Sequence, residues 1–317
     1  MLITGNDTSA IQQILLSLCQ AFSLKDPAPV SLFLGIRISI TPQSLFLDQQ
    51  QYATDILKSA GFLHCKPLPT PITPKSTYST VPDSTLLQPT NYRRLVGSLQ
   101  YLTITQPDLA FATNQLCQHM HDPQPTHVHA LKHVLRYLHG TLNYGLPLRR
   151  GELTPQSFVD TDWASDSTDR KSVSGFCTFL GKNLISWSVK KQITVAKSST
   201  EAEYRALAAA TSDVIWLRRL LTDFDATPNE PTTIFCDNVS ALALAINPVF
   251  HARLKHIEID YHFISHHIQH KDISVQHIHS IDQPANILTK SLPVNRFQQL
   301  RSKLTIHPKD SKFEGAC

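Results

Sequence analysis

The sequence predicts an α/β protein in two parts: a mainly helical amino-terminal half carrying a short β hairpin, then a mixed sheet with flanking helices. Three observations predict it. Runs of alternating apolar and polar residues, QSFVD, SVSGFCTFLG and NLISWSV, follow one another after residue 155, separated by a polar loop and a Gly-Lys-Asn turn, as hairpin-connected strands do. Helical periodicity then holds from about 200 to 222, and short apolar strands alternate with helical stretches beyond it. A Pro- and Gly-containing stretch over 139–156 separates this grammar from the first half. The expected units are 1–150, 151–300 and a carboxy-terminal tail, 301–317.

In chain order, Ile11 to Phe22 has helical spacing, and SLFLGIRISI with SLFLDQQ reads as a strand pair across a Thr41-Pro42 turn. QQYATDILKSAG is a helix stopped at Gly61. Pro, Ser and Thr dominate from Cys65 to Pro89, which favours an extended connection. Helices are expected over about 91–104, 107–120 and 125–139. In the second half the three strands and the long helix are followed by TTIFCD as a strand, VSALALAI and HIEIDYHFISHHIQ as helices, DISVQHIH as a last strand, and a closing ANILTK segment.

At 317 residues the chain can bury two cores of ordinary size. It carries 29 Lys and Arg against 25 Asp and Glu, a formal net charge of +4 that is compatible with a nucleic-acid partner without requiring one. The six Cys, at 19, 65, 117, 177, 236 and 317, are too dispersed for a zinc finger or a disulfide framework, so a reducing compartment is expected. No signal-like amino terminus and no run of membrane-spanning length is present, and a soluble protein with no membrane partner is expected, cytoplasmic or nuclear.

Asp160 falls at the end of the first strand of the second half, Glu203 in the first turn of the long helix and Asp237 at the end of the fourth strand. Carboxylates so placed converge on one edge of a sheet, where their mutual repulsion calls for divalent cations; Mg²⁺ suits such oxygen ligands. Each residue also has an ordinary reading. Asp160, Asp162, Asp166 and Asp169 would solubilise a loop, Thr200 and Glu203 match a capping box, and Asp237 or Asn238 would cap the next helix. His262, His266 and His270 share one helical face, but Ile257, Tyr261, Ile264 and Ile268 account for the buried stripe and leave the histidines on a polar face.

Taken together, FVDTDWAS, SVSGFCTFLG, LISWSVKKQITVAKSSTEAEYRAL, IFCDNVSALAL, HARLKHIEIDYHF and ANILTK resemble, in order, the ribonuclease H domain of copia-type retroelement Pol polyproteins. The first half resembles the preceding part of the same polyprotein through MLITGND, FLGIRI, FLDQQQYATDIL, YRRLVGSLQYLTITQPDLAFATNQL and ALKHVLRYLHGT. The resemblance implies a ribonuclease H-like mixed sheet preceded by a truncated reverse-transcriptase palm end, thumb and connection remnant. It implies Asp160, Glu203 and Asp237 as catalytic carboxylates and metal ligands, with Glu203 chosen over Glu201 for its EYRAL context. His277 is similar to the flexible histidine near that family's catalytic edge. Asn286 stands where the family generally has Asp, which removes a charge from a fourth position. The polymerase carboxylate pair precedes the segment matched by MLITG, and Asp7 does not replace it.

The implied activity is Mg²⁺-dependent endonucleolytic cleavage of RNA in an RNA/DNA hybrid, with two ions, Mn²⁺ as a substitute, and no self-contained polymerisation. Arg93, Arg94, Lys132, Arg136, Lys190, Lys191 and Lys197 are the candidate phosphate contacts for hybrid or other duplex nucleic acid. Tyr101, Tyr137 and Trp187 offer base or sugar contacts, with core packing as the alternative. Two other functions compete: an impaired remnant that binds nucleic acid nonspecifically, and a structural module that self-associates through the exposed amino-terminal segment.

Overall fold

A hairpin and a long returning strand organise the first half. The computed structural model describes residues 2–23, 28–73, 84–247 and 257–309. Helix α1 (Thr8–Ala21) is capped by Asp7, whose Oδ1 accepts the Ser9 and Ala10 amides at 2.8 and 3.1 Å. That capping role explains Asp7 without any part in chemistry. Strand β1 (Leu32–Phe33) leads into β2 (Ile36–Thr41), which turns at Thr41 into β3 (Ser44–Asp48). Helix α2 (Gln50–Ala60) ends, as its sequence predicts, at Gly61, which adopts φ +75° and returns amide hydrogen bonds to the last turn.

The expected extended connection over 65–89 is only partly described, because 74–83 lie outside the described residues. Beyond them a short helix α3 (Ser84–Leu87) precedes α4 (Pro89–Leu102), where Pro89 starts the helix at a position needing no amide. Helices α5 (Ala110–Cys117) and α6 (Pro125–Gly140) follow as expected. The stretch expected to be a plain boundary, 139–156, departs from that reading: Tyr144–Arg149 forms β4. Strand β3 offers an unpaired edge, and Leu146 and Leu148 of the alternating YGLPLR segment pair along it.

The second half contains β5 (Pro155–Asp162), β6 (Val173–Leu180), β7 (Asn183–Lys191), α7 (Ser199–Asp223), β8 (Thr232–Cys236), α8 (Val239–Ile246), α9 (Glu258–Gln269) and β9 (Ile273–His277). These strands form a sheet ordered β7-β6-β5-β8-β9, with β5, β6 and β7 antiparallel and β5, β8 and β9 parallel. This is the mixed sheet of a ribonuclease H-like fold. A tight turn over Pro284–Leu288 leads to α10 (Val294–Lys303) and β10 (His307–Pro308). The range expected as a tail therefore begins inside α10, and β10 pairs with β4 to complete a sheet ordered β1-β2-β3-β4-β10.

The second sheet is covered on both faces. Tyr204, Leu207, Val214 and Ile215 of α7 pack with Val159, Ile234, Ala241, Tyr261 and Ile264 on one side. On the other, Cys177, Phe179 and Leu184 share an apolar cluster with Leu95, Leu99 and Leu116 of the first half and with Ile287, Leu288 and Leu300. Each fully buried Leu of such a cluster contributes about 1.5–3 kcal/mol. Among the described residues no helix is long and apolar enough to cross a membrane.

Candidate active site

The carboxyl ends of the two central parallel strands set the site. Val159 pairs in register with Cys236, so Asp160 and Asp237, the next residues on each chain, lie side by side at the sheet edge. Glu203 reaches them from the amino-terminal end of α7. The capping box expected at Thr200 and Glu203 does not form: Ser198 caps the helix by accepting the Glu201 amide at 3.1 Å, and Glu201 accepts the amide of Lys197, one residue before the cap, at 2.9 Å. Registration two residues earlier leaves Glu203 free to turn inward, where its Oε1 accepts the Thr161 amide at 3.1 Å.

Both Asp160 and Glu203 are buried, at 1% and 5% exposure. Burial, with the neighbouring charges of Asp160 and Asp237, pushes the Glu203 carboxyl up to about 9. Asp160 is also raised by burial, against the pull of Lys290 and Thr289. Its two oxygens are engaged: the Thr289 hydroxyl donates to Oδ2, and the Lys290 ammonium lies 3.1 Å from Oδ1. Ligand atoms of Glu203, Asp237 and Cys236 all fall within 4.8 Å of one another. The buried Cys236 thiol, raised by burial and by Glu203, donates weakly to Glu203 Oε2 at 3.8 Å.

The expected fourth position is now defined. Asn286 is buried in the Pro284–Leu288 turn; its Nδ2 donates to Ser280 O at 2.9 Å, and its Oδ1 accepts from Lys290 at 2.8 Å. Asp282, a conceivable substitute, is exposed and ion-paired with Lys303 at 2.9 Å. His277 is exposed at the end of β9, in register with Cys236, and packs edge-on against His279. The turn sits where it does because strand residue 175, opposite Asp160, is glycine. A Cβ there would lie 2.8 Å from Leu288 Cβ and 2.9 Å from Thr289 Cγ2.

Several expected residues have other duties. Lys191 binds Asp166 at 2.5 Å, Asp169 at 3.0 Å and Gln118 at 3.1 Å, so those two aspartates pin a loop as well as solvating it. The Lys191 hydrogen bond holds the Asp166 carboxyl at about 2. Arg136 donates to Lys66 O, Arg94 to Ser59 and Arg93 to Pro89 O, while Lys190 and Lys197 are exposed, Lys190 on the face of β7 opposite to that of Asp160. Lys132 is half-buried on α6. Tyr137 is fully buried, Trp187 packs partly against the shared core, and the Tyr101 hydroxyl donates to Leu34 O. His262, His266 and His270 lie on the exposed face of α9, as the apolar stripe implies.

Sequence reasoning gave Asp162 only a solubilising role and passed over Cys236, Thr289 and Lys290 as parts of the site. Two-residue alternation places Asp162 on the face of Asp160, a signal that was available. Its carboxyl is raised by burial and lowered by Lys290. Lys290 itself is held above its ordinary range, because Asp160, Asp237 and Asp162 outweigh the opposing effect of burial.

Known proteins place the chain. A family model described as reverse transcriptase (RNA-dependent DNA polymerase) matches residues 1–74. The retrovirus-related Pol polyprotein from transposon RE1 of Arabidopsis thaliana is 44% identical over 307 residues, covering 96% of this chain and 21% of that protein. The Pol polyprotein from transposon TNT 1-94 of Nicotiana tabacum is 33% identical over 316 residues, 97% of this chain and 24% of that protein. The chain thus spans about a fifth to a quarter of these relatives. An uncharacterized mitochondrial protein of Arabidopsis thaliana is 46% identical over 217 residues, 68% of this chain and 90% of that protein. Among solved structures, LC11-RNase H1 in complex with RNA/DNA hybrid is 16% identical, covering 43% of this chain and 94% of that one at a TM-score of 0.33; so loose an overlay adds nothing to the strand order. The chain belongs to the copia-type retroelement Pol polyproteins, of which it carries the end of the reverse-transcriptase region and the ribonuclease H-like domain.

Proposed function

We propose that the chain is a divalent-cation-dependent endonuclease that hydrolyses the RNA strand of an RNA/DNA hybrid. The observation that supports it is the convergence of Asp160, Glu203 and Asp237 from three separate elements, with the Glu203 carboxyl raised to about 9 by burial among like charges. Such an edge is short of positive charge, and its hard oxygen donors fit Mg²⁺, with Mn²⁺ as a substitute. Two bound ions would supply an activated water and stabilisation of charge on the leaving oxygen. Asp160, Glu203 and Asp237 would hold them.

The chain's own groups do the positioning. Thr289 orients Asp160, and the Thr161 amide orients Glu203. An imidazole nitrogen of exposed His277 carries a proton at the mouth of the edge as product departs. Asn286 offers a carbonyl oxygen without charge, a weakened fourth ligand. Arg93, Arg94, Lys132, Arg136, Lys190 and Lys197 contact phosphates without reading bases, and Lys191 joins them only by leaving Asp166 and Asp169. With purified full-length chain, labelled hybrid is expected to be cut in Mg²⁺ and spared by Asp160→Asn. Undiminished cleavage by that variant refutes the assignment.

A second reading is an impaired remnant that binds nucleic acid without cutting it, and the uncharged Asn286 favours it. Retention of hybrid on a filter by protein that leaves it intact in Mg²⁺ distinguishes this case. Self-association is the third reading. Helix α1 has no buried residue and exposes Ile14 and Leu16, with Phe22 just beyond it. A strictly monomeric species in light scattering removes that reading.

A further inference from the structure

Lys290 brings a positive charge into the carboxylate edge from within the chain. Its Nζ lies 3.1 Å from Asp160 Oδ1 and 2.8 Å from Asn286 Oδ1. It also attracts Asp162 and Asp237, and it lowers the Glu203 carboxyl. The side chain is not sealed in: about a third of it, 32%, remains exposed, against 1% for Asp160. Its location is fixed from behind, since Leu288 and Thr289 are seated on Gly175 directly opposite Asp160. An ammonium with one carboxylate and one neutral amide oxygen as its partners, and an open side to solvent, is placed where it can leave.

We infer that Lys290 is a resident counter-ion. Its ammonium neutralises the edge in the absence of a divalent cation and must withdraw from Asp160 Oδ1 before that oxygen can ligate one. The inference rests on reading the edge as a divalent-cation site. Cation uptake is then an exchange of one positive charge for another, so apparent affinity is weaker than the donor set alone would give. The neutral Asn286 is consistent with the exchange, because it lets the ammonium go without leaving a second carboxylate bare. Removing the Lys290 charge should destabilise the empty protein and tighten cation binding, two effects of opposite sign that a purely structural lysine would not produce.

The test is Mn²⁺ binding to the full chain, followed by the paramagnetic signal of free Mn²⁺, for wild type, Lys290→Met, Lys290→Gln and Lys290→Arg, with Asp160→Asn marking the site. Lys290→Gln keeps a hydrogen-bond donor for Asp160 without the charge and serves if the Met variant does not fold. Expected are Mn²⁺ affinities about tenfold or more tighter in Lys290→Met or Lys290→Gln, the scale of losing one competing charged hydrogen bond. Lys290→Arg should stay near wild type, and the neutral variants should melt lower in chelator yet gain more from Mn²⁺. Equal or weaker affinity in folded neutral variants, with wild-type binding still abolished by Asp160→Asn, overturns the counter-ion role and leaves the cation site standing. No Mn²⁺ binding to folded wild type or either neutral variant overturns both.

Discussion

Replacing Glu203 by Gln should make the metal-free protein more stable at neutral and alkaline pH. The Glu203 carboxyl titrates near 9 in the folded chain, against an ordinary value of 4.5. Between these values the unfolded chain has released a proton that the folded chain retains, so folding stability falls as pH rises through that window. Each pH unit inside it costs about 1.4 kcal/mol, and the interval from 4.5 to pH 7 amounts to about 3 kcal/mol. That is a large share of the roughly 5–15 kcal/mol available to a typical domain. The glutamine retains an acceptor for the Thr161 amide and cannot ionise, so the penalty disappears. Urea unfolding in chelator at pH 5 and pH 8 reads the difference: wild type should lose stability between the two, and Glu203→Gln should lose markedly less. Saturating Mg²⁺ should reverse the order, because the ionised carboxylate then has a partner that the amide lacks. Parallel pH profiles for the two proteins in chelator would refute the electrostatic reasoning.

Three further predictions follow from single contacts. Gly175→Ala should force the Leu288–Thr289 turn off the strand at a cost of about 1–3 kcal/mol and reduce hybrid cleavage, with unchanged melting and cleavage counting against that close approach. Arg301→Met removes the guanidinium that donates to Tyr137 at 2.9 Å, beside the buried Asp108 carboxylate to which Tyr137 donates. The expected loss is about 1.5–3 kcal/mol in urea unfolding, and a variant within error of wild type would show that this buried network is not stabilising. Asn286→Asp deletes the donor to Ser280 O, costing about 1–3 kcal/mol, while adding a charge beside Lys290 and Asp160. Mn²⁺ binding should tighten despite the lower stability, and equal affinities in two folded proteins would show that Asn286 does not limit the site.

The elements that the sequence predicted well are those whose signal is local. The alternation in SVSGFCTFLG and NLISWSV fixes β6 and β7 because one face of each meets the shared apolar cluster, and the apolar stripe of α9 places His262, His266 and His270 outside. Strand β4 was missed because YGLPLR contains a proline and a glycine, which argue against a strand unless a free edge awaits it; β3 supplies that edge from about a hundred residues earlier. The Glu203 assignment depended on resemblance. The alternative capping reading fell because Ser198 caps a helix that starts at Ser199, so Glu201 takes the acidic place in the first turn and Glu203 lies beyond it. Lys290 carried no local signal: a lysine after a tight turn is usually solvated, and only the seating of that turn on Gly175 brings it to Asp160.

That seating joins the two halves of the chain. Ala285, Ile287 and Leu288, which frame Asn286 and precede Thr289 and Lys290, belong to the same apolar cluster as α4, α5 and α6. The amide of Asn114 on α5 donates to Val189 O of β7 at 3.3 Å, and Gln118 accepts from Lys191. Arg301 on α10 reaches back to Tyr137 and lies 4.5 Å from the centre of the Tyr144 ring, next to the pairing of β10 with β4. One face of the ribonuclease H-like sheet is therefore packed by helices of the first half, and the turn that precedes Thr289 and Lys290 shares their apolar cluster. A loss of packing in α4 or α5 would loosen that turn, and with it the hydroxyl and ammonium that hold the carboxylate. The first half thus has a physical role beside the ribonuclease H-like sheet: it supplies part of the scaffold on which the acidic edge is aligned.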